Sequence, residues 1–353
     1  METSTVDLVG VRRRIDACLA AFLDRKAGEA AAGGLPREVV EALRGLLAAG
    51  GKRVRPLLCV VGWHAAGGWS GEESAVAAAA SLEMFHAAAL IHDDIMDDSA
   101  TRRGKPTVHR ALTDYHCGHR DAGRLGVHAA ILMGDLALSW SAELLHTAGL
   151  EPSRLLAALP VVDAMRGEII YGQYLDVVAT GHPSGDVEGA LEIVRLKTAR
   201  YTVQRPLQLG AVLAGAGTAT LEALTAYAMP VGESFQLRDD LLGVFGDPRR
   251  SGKSCLEDLR AGKHTVLLAV ALTRAGDSER RELLSLVGHA GLDENGATRV
   301  RALLETTGAR DIVEDLIALR RRQALDALDK AAFPARADAA LRHITDNATH
   351  RTA

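Results

Sequence analysis

Four aspartates crowd into six positions at the end of an apolar run: His92-Asp93-Asp94-Ile95-Met96-Asp97-Asp98, followed closely by Arg102-Arg103-Gly104. The preceding stretch, Glu72 to Ile91, is Ala-rich and holds neither Pro nor Gly. It reads as a buried helix, and Ser70 with Glu73 forms an S-x-x-E capping box at its start. On that helix Asp93 and Asp97 lie one turn apart and share a face. Two carboxylates so placed repel each other, so the cluster calls for a counter-ion. Oxygen-only ligands suit Mg²⁺, which takes one or two carboxylates and fills its shell with water and phosphate oxygens. Taken alone, the cluster also reads as a solvated acidic helix end. The rest of the chain decides between the two.

A chain of 353 residues buries a large core. Aromatics make up only 4% against abundant Ala and Leu, which favours helix over strand. The net charge of −4 provides no basic field for nucleic acid. Cys18, Cys59, Cys117 and Cys255 form no C-x-x-C pair, so neither a disulfide framework nor a zinc site is indicated. His116-Cys117-x-His119 looks metal-like but lacks partners. Met1 to Asp16 has no apolar core of a secretory signal. Ala75 to Ile91 is interrupted by Glu83 and His86 and fits a buried helix better than a membrane span. The expectation is a soluble, cytoplasmic, helical protein.

Helices are expected over Val11–Ala30, Arg37–Ala49 and from Pro56 to about Ala66, with Gly33-Gly34 and Gly50-Gly51 as breaks. Gly104-Lys105-Pro106 opens an irregular stretch before a helix over Val127–Thr147. Pro160, Pro206 and Pro230 are expected to kink long helices rather than end them. No strand alternation, repeat or long linker divides the chain. The reading is one all-α domain over 1–353, frayed at about 1–10 and 350–353.

A second acidic pair stands in Phe235-Gln236-Leu237-Arg238-Asp239-Asp240, followed by Gly246-Asp247-Pro248. Cations follow each pair: Arg102, Arg103 and Lys105 after the first, Lys253 and Lys263 after the second. Carboxylates that gather Mg²⁺ among Arg and Lys describe a diphosphate site. A third cluster, Gly50-Gly51-Lys52-Arg53-Val54-Arg55-Pro56, sets cations before a helix N-terminus, where backbone N–H groups also favour an anion. It has no Walker pattern, so no nucleotide is implied. If Arg102 and Arg103 lie on a helix, their side chains diverge by about 100° and serve two different anions. The pattern reads as a reaction joining two oily diphosphates.

These motifs resemble the trans-isoprenyl diphosphate synthases, the polyprenyl synthetase family, over nearly the whole chain. The matching residues are GGKRVRP at 50–56, His86, DDIMD at 93–97, RRG at 102–104, GQYLD at 172–176, Lys197-Thr198, FQLRDD at 235–240, GDP at 246–248, Lys253 and Lys263. The resemblance implies an orthogonal helical bundle, usually a homodimer, with the two Asp motifs facing each other across a deep central cavity. It further implies that Asp93 and Asp97 bind two Mg²⁺ and Asp239 a third. Arg102, Lys197, Lys253 and Lys263 would hold an allylic diphosphate (dimethylallyl, geranyl or farnesyl). Lys52, Arg55, His86 and Arg103 would hold isopentenyl diphosphate. Thr198, Gln236 and the Lys197 carbonyl would face the developing allylic cation, with Gln173 and Asp176 nearby. The family's second motif often reads DDxxD, whereas position 243 here is Gly, and Asp247 is a candidate partial substitute.

Leaving-group departure puts charge on diphosphate, which Mg²⁺ and lysines stabilise most in the transition state. The alkene then attacks, and the departed diphosphate removes the proton, so no side-chain base is assigned. Two rivals differ in class. A class I terpene cyclase needs no second diphosphate site, against which Lys52, Arg55 and Arg103 speak. A non-catalytic subunit of a heteromeric synthase should have eroded Asp motifs. Product length follows from the motif helix: Ala88 and Ala89 leave room one turn above Asp93. Phe85, about 12 Å along the axis, is the first large side chain. As a floor it implies a C20 product, geranylgeranyl diphosphate, with C25 or longer as the alternative.

Overall fold

The computed structural model describes residues 5–246 and 255–349. The chain divides into two compact units, Val6–Ala158 with Gly210–Gly215, and Leu159–Leu209 with the residues from Ala216 onward. Nearly all regular structure is helical, as the composition predicts.

The first unit is built on α4 (Glu72–Met96), which packs most extensively against α6 (Ala122–His146) and also against α3 (Val54–Ala65) and α1 (Leu8–Ala32). Alanines explain the close packing: Ala75, Ala78, Ala79, Ala80, Ala87 and Ala88 are all buried. Beneath the motif, a Cβ on Gly134 of α6 would lie 2.1 Å from His92 Nε2, so the glycine makes room for the imidazole in its present place. The expected capping box does not form. Gly71, in the left-handed conformation at φ 83°, takes the N-cap, and Glu72 and Glu73 pair with Arg14 of α1 instead. Helix α1 also begins earlier than the fraying expected to residue 10, at Leu8, where the Asp7 side chain caps Gly10 N–H. Both α4 and α6 are long and apolar enough to cross a membrane. The apolar window of α4 is 72% buried, as a core helix requires, and that of α6 39%.

The expected irregular stretch after the motif is instead a two-stranded hairpin, β1 (Thr101–Arg102) and β2 (Lys105–Pro106), followed by α5 (Val108–Tyr115). Its two-residue turn is Arg103-Gly104, with φ of 53° and 73°. Positive φ at both positions is what a type I′ turn requires.

The second unit contains most of α7 (Pro152–Ala179), then α8 (Val187–Val194), a π-helical segment (Arg195–Gln204) and the start of α9 (Arg205–Ala214). It continues with α10 (Thr218–Phe245) and the helices beyond. Its core gathers Leu237, Leu241 and Val244 of α10 around the helix Val266–Arg274, with Val300, Leu303 and Val313. Pro160 and Pro230 lie inside α7 and α10 and do not end them. Pro206 sits at the start of α9, just where π-winding ends. Proline has no N–H to give to the preceding turn, so the change of winding accommodates it there.

Candidate active site

In the first unit, α4 delivers Asp93 and Asp94 from its last turn, while Asp97 is its C-cap residue and Asp98 adopts φ 48°. The charges are sorted by cations. Asp94 is buried and accepts from Arg102 Nε at 2.8 Å; Arg102 Nη2 lies 3.6 Å from Asp93 Oδ2. Arg110 Nη2 donates to Asp98 at 2.7 Å. Burial raises the Asp94 pKa, and the Arg102 hydrogen bond opposes the rise. Asp93 is partly buried, whereas Asp97 and Asp98 are exposed. Among the described residues no three His, Cys, Asp or Glu side chains are close enough to hold a metal ion by themselves.

Beside the acidic end lies a concentration of positive charge. Loss of water, and then the charges of Arg55, Arg103, Arg102 and Arg53, hold the His86 imidazole well below its ordinary pKa. His86 is therefore neutral at pH 7 and keeps one ring N–H to donate. The loop before α3 runs through positive φ at Gly50 (89°), Gly51 (142°) and Arg53 (51°). Arg103 reaches back from the hairpin turn to donate to the Gly50 carbonyl. A Cβ on Gly51 would lie 2.9 Å from both terminal nitrogens of Arg103, so glycine is what lets the guanidinium lie flat on the loop. Arg102 and Arg103 do diverge, but because one belongs to a strand and the other to a turn, not because they share a helix. Lys52 is exposed and Arg55 half-buried.

The second unit presents its groups through a close approach of three backbones. A Cβ on Gly172 of α7 would stand 2.8 Å from Leu196 Cβ and 2.9 Å from Lys197 Cγ. One on Gly232 of α10 would stand 2.3 Å from Ala199 Cα. The π-helical segment bearing Lys197-Thr198 is thus clasped between two glycines. One turn beyond Gly172, Asp176 accepts a hydrogen bond from Lys197 Nζ. One turn beyond Gly232, Gln236 Oε1 accepts from Thr198 Oγ1 at 2.7 Å, and Gln236 Nε2 donates to Asp240 Oδ1 at 2.8 Å. Burial, the Asp239 charge and the Asp258 charge outweigh that hydrogen bond, and the Asp240 pKa is pushed up to about 8. Asp239 is exposed, and Arg238 turns away to a two-point pair with Glu314 at 2.7 Å.

Lys263 Nζ lies 3.6 Å from Asp258 Oδ1. A Cβ on Gly243 would lie 2.5 Å from Asp258 Oδ2, so Asp258 already fills the space beside Gly243. The sequence reading did not single out Asp258; its signal was the glycine in an otherwise acidic motif. Lys253 and Asp247 lie outside the described residues. The sequence reading also gave no role to Arg53 or Glu83, whose pairing is visible only in three dimensions.

Carboxylates beside clustered cations in one unit, and a lysine, a hydroxyl and an amide beside a second aspartate pair in the other, define a metal-assisted diphosphate enzyme. The polyprenyl synthetase family model matches residues 36–305, and the chain belongs to that family. The crystal structure of a geranylgeranyl pyrophosphate synthase from Corynebacterium glutamicum, complexed with isoprenyl diphosphate and magnesium, superposes with a TM-score of 0.93. It is 40% identical and covers 98% of this chain and 100% of that one. A geranylfarnesyl diphosphate synthase from Aeropyrum pernix is 34% identical over 288 residues, 81% of this chain and 85% of the relative. A (2E,6E)-farnesyl diphosphate synthase from Mycobacterium bovis is 31% identical over 306 residues, 86% and 80% respectively. The chain is a trans-prenyl diphosphate synthase, a prenyltransferase with the isoprenoid synthase fold.

Gly51→Ala tests the cation cluster. The added methyl displaces Arg103 and strains a left-handed backbone position. Steady-state kinetics should show the KM for isopentenyl diphosphate rising roughly tenfold, equivalent to about 1.4 kcal/mol. The KM for the allylic primer should stay within about twofold. An unchanged KM for both would remove Arg103 from the anion site.

Proposed function

We propose that the enzyme condenses isopentenyl diphosphate head-to-tail with an allylic diphosphate (dimethylallyl, geranyl or farnesyl), in the cytoplasm, to give geranylgeranyl diphosphate. The observation that carries the two-diphosphate reading is that Arg102 turns to Asp94 of the acidic cluster while Arg103, the next residue, turns to the Gly50 carbonyl in the loop that bears Lys52 and Arg55. A cyclase acting on one diphosphate has no use for cations on both sides of its metal cluster.

Asp93 and Asp97 suit two Mg²⁺ and Asp239 a third; bound there, the ions supply charge neutralisation and a Lewis-acid pull on the leaving diphosphate. Arg102, Lys197 and Lys263 hold the allylic diphosphate and stabilise the charge that grows on its bridging oxygen as the C–O bond breaks. The paired oxygens of Thr198 and Gln236 turn lone pairs toward the allylic cation. Lys52, Arg55, Arg103 and neutral His86 hold isopentenyl diphosphate with its alkene toward that cation. The new C–C bond forms from the alkene pair, and the departed diphosphate accepts the proton lost from the adjacent carbon. Apolar surroundings keep water from capturing the cation.

Asp93→Ala and Asp97→Ala should each lower kcat by at least about 100-fold at saturating Mg²⁺ while far-UV circular dichroism stays helical. Near-normal turnover in both variants would mean that the cluster does not hold the metal.

The active form is read as a homodimer. Ile131, Leu132 and Leu138 lie 40%, 62% and 36% exposed along one stripe of α6, an apolar surface that a second copy would cover. Light scattering should give twice the mass of 37.4 kDa, and a stable active monomer would end this reading.

Chain length is the finer part of the proposal. Phe85, Ala89 and Asp93 succeed one another at four-residue intervals on α4, so they share a face. Phe85 is 6% exposed, Ala88 3%, and Ala89 is half-buried. With Phe85 as the floor, wild-type enzyme should stop at C20 and Phe85→Ala should extend the product to C25 or beyond. An aromatic at Ala88 or Ala89 should shorten it. Chromatography of dephosphorylated products decides the matter: a folded, active Phe85→Ala enzyme with an unchanged length distribution would show that Phe85 merely packs in the core.

A further inference from the structure

The side chain of Arg53, in the middle of the Gly50–Pro56 cluster, is 6% exposed and taken up by protein partners. Its Nε donates to Asp16 Oδ1 at 2.7 Å, Nη1 to Glu83 Oε1 at 2.7 Å and Nη2 to the Leu47 carbonyl at 2.8 Å. One guanidinium therefore ties the loop to α1, to the last turn of α2 (Arg37–Ala48) and to α4. Glu83 is 4% exposed, so the Arg53–Glu83 pair is buried on both sides. The backbone of Arg53 is held at φ 51°, a conformation that a non-glycine residue adopts only when its surroundings impose it.

We propose that Arg53 and Glu83 are positioning residues for isopentenyl diphosphate: they aim Lys52 and Arg55 at that substrate without touching it. The inference rests on the two-diphosphate reading above. Glu83 stands three residues before His86 and ten before Asp93 on one unbroken helix. Fixing the loop to Glu83 thus fixes its cations about 15 Å along the axis from the metal cluster. A buried ion pair is seldom the most stable way to join a loop to a helix, since well-packed apolar residues do as well or better. What the pair adds is direction. The planar fork of Arg53 has one geometry that satisfies Asp16, Glu83 and Leu47 together. In that geometry the left-handed residue sets the course of the backbone that carries Lys52, which is exposed, and Arg55, which is half-buried.

The test separates positioning from stability. Arg53→Met leaves Glu83 buried and unpaired and should lower Tm sharply, whereas Arg53→Met with Glu83→Leu should recover Tm because no lone charge remains. In the double variant the KM for isopentenyl diphosphate should remain raised by about tenfold or more, with kcat and the KM for the allylic primer within about threefold of wild type. Glu83→Gln, which is isosteric, provides the same reading if the double variant fails to fold, with a smaller rise of the same selectivity. A KM for isopentenyl diphosphate that returns to wild type along with Tm, or that rises equally with the allylic KM, would overturn the inference. Wild-type enzyme that elongates no primer would instead sink the proposed reaction. Calorimetric binding of isopentenyl diphosphate, wild type against Glu83→Gln, would still decide the inference alone.

Discussion

The carbonyls that end an α-helix are partly negative, so the last turn is an unfavourable place to gather carboxylates. Helix α4 nevertheless ends on Asp93, Asp94, Asp97 and Asp98, and the surrounding structure answers that repulsion. The hairpin returns Arg102 to the buried Asp94, and α5 sends Arg110 to Asp98. Both counter-ions come from the segment that immediately follows the cluster, so the acidic end and its compensation form one local unit. Asp93 and Asp97, one turn apart at this helix end, are the pair proposed above for a divalent cation.

Positive charge is organised by the opposite device. Arg53 is withdrawn from water and surrounded by two carboxylates and a carbonyl, while Lys52 beside it is exposed and Arg55 half-buried. Arg103 is laid on a glycine loop by a turn of opposite backbone hand. In the second unit glycines do the placing. Gly172 and Gly232 bring α7 and α10 against the segment that carries Lys197 and Thr198, and the next turn of each helix supplies its partner.

Much of this was legible in the sequence, because period, breakers and charge runs are local properties. The run to Ile91 predicted α4, and the glycine pairs predicted the breaks around α2. What escaped was set by contacts between distant residues. Arg103-Gly104 does not advertise a type I′ turn as Asn-Gly would, so the hairpin was read as irregular. Glu72 and Glu73 were drawn to Arg14, and the predicted capping box lost its glutamate to that tertiary pair. Nothing in the order of residues links Arg53 to Glu83, thirty positions apart. Gly243 read as a lost carboxylate, although the space beside it is taken by Asp258 from another helix.

The π-helical segment has a consequence for how this sequence can change. A π turn holds more residues than an α turn, so the faces of α8 and α9 belong to different helical wheels, offset by the extra winding between them. Deleting Arg195 or Leu196, just before Lys197, would let the segment relax to an ordinary α-helix. It would also rotate everything on one side of the cut by about 100°. Lys197 and Thr198 would then lose Asp176 and Gln236 with every side chain at the site still encoded. The geometry at this site therefore depends on residue count as much as on residue identity.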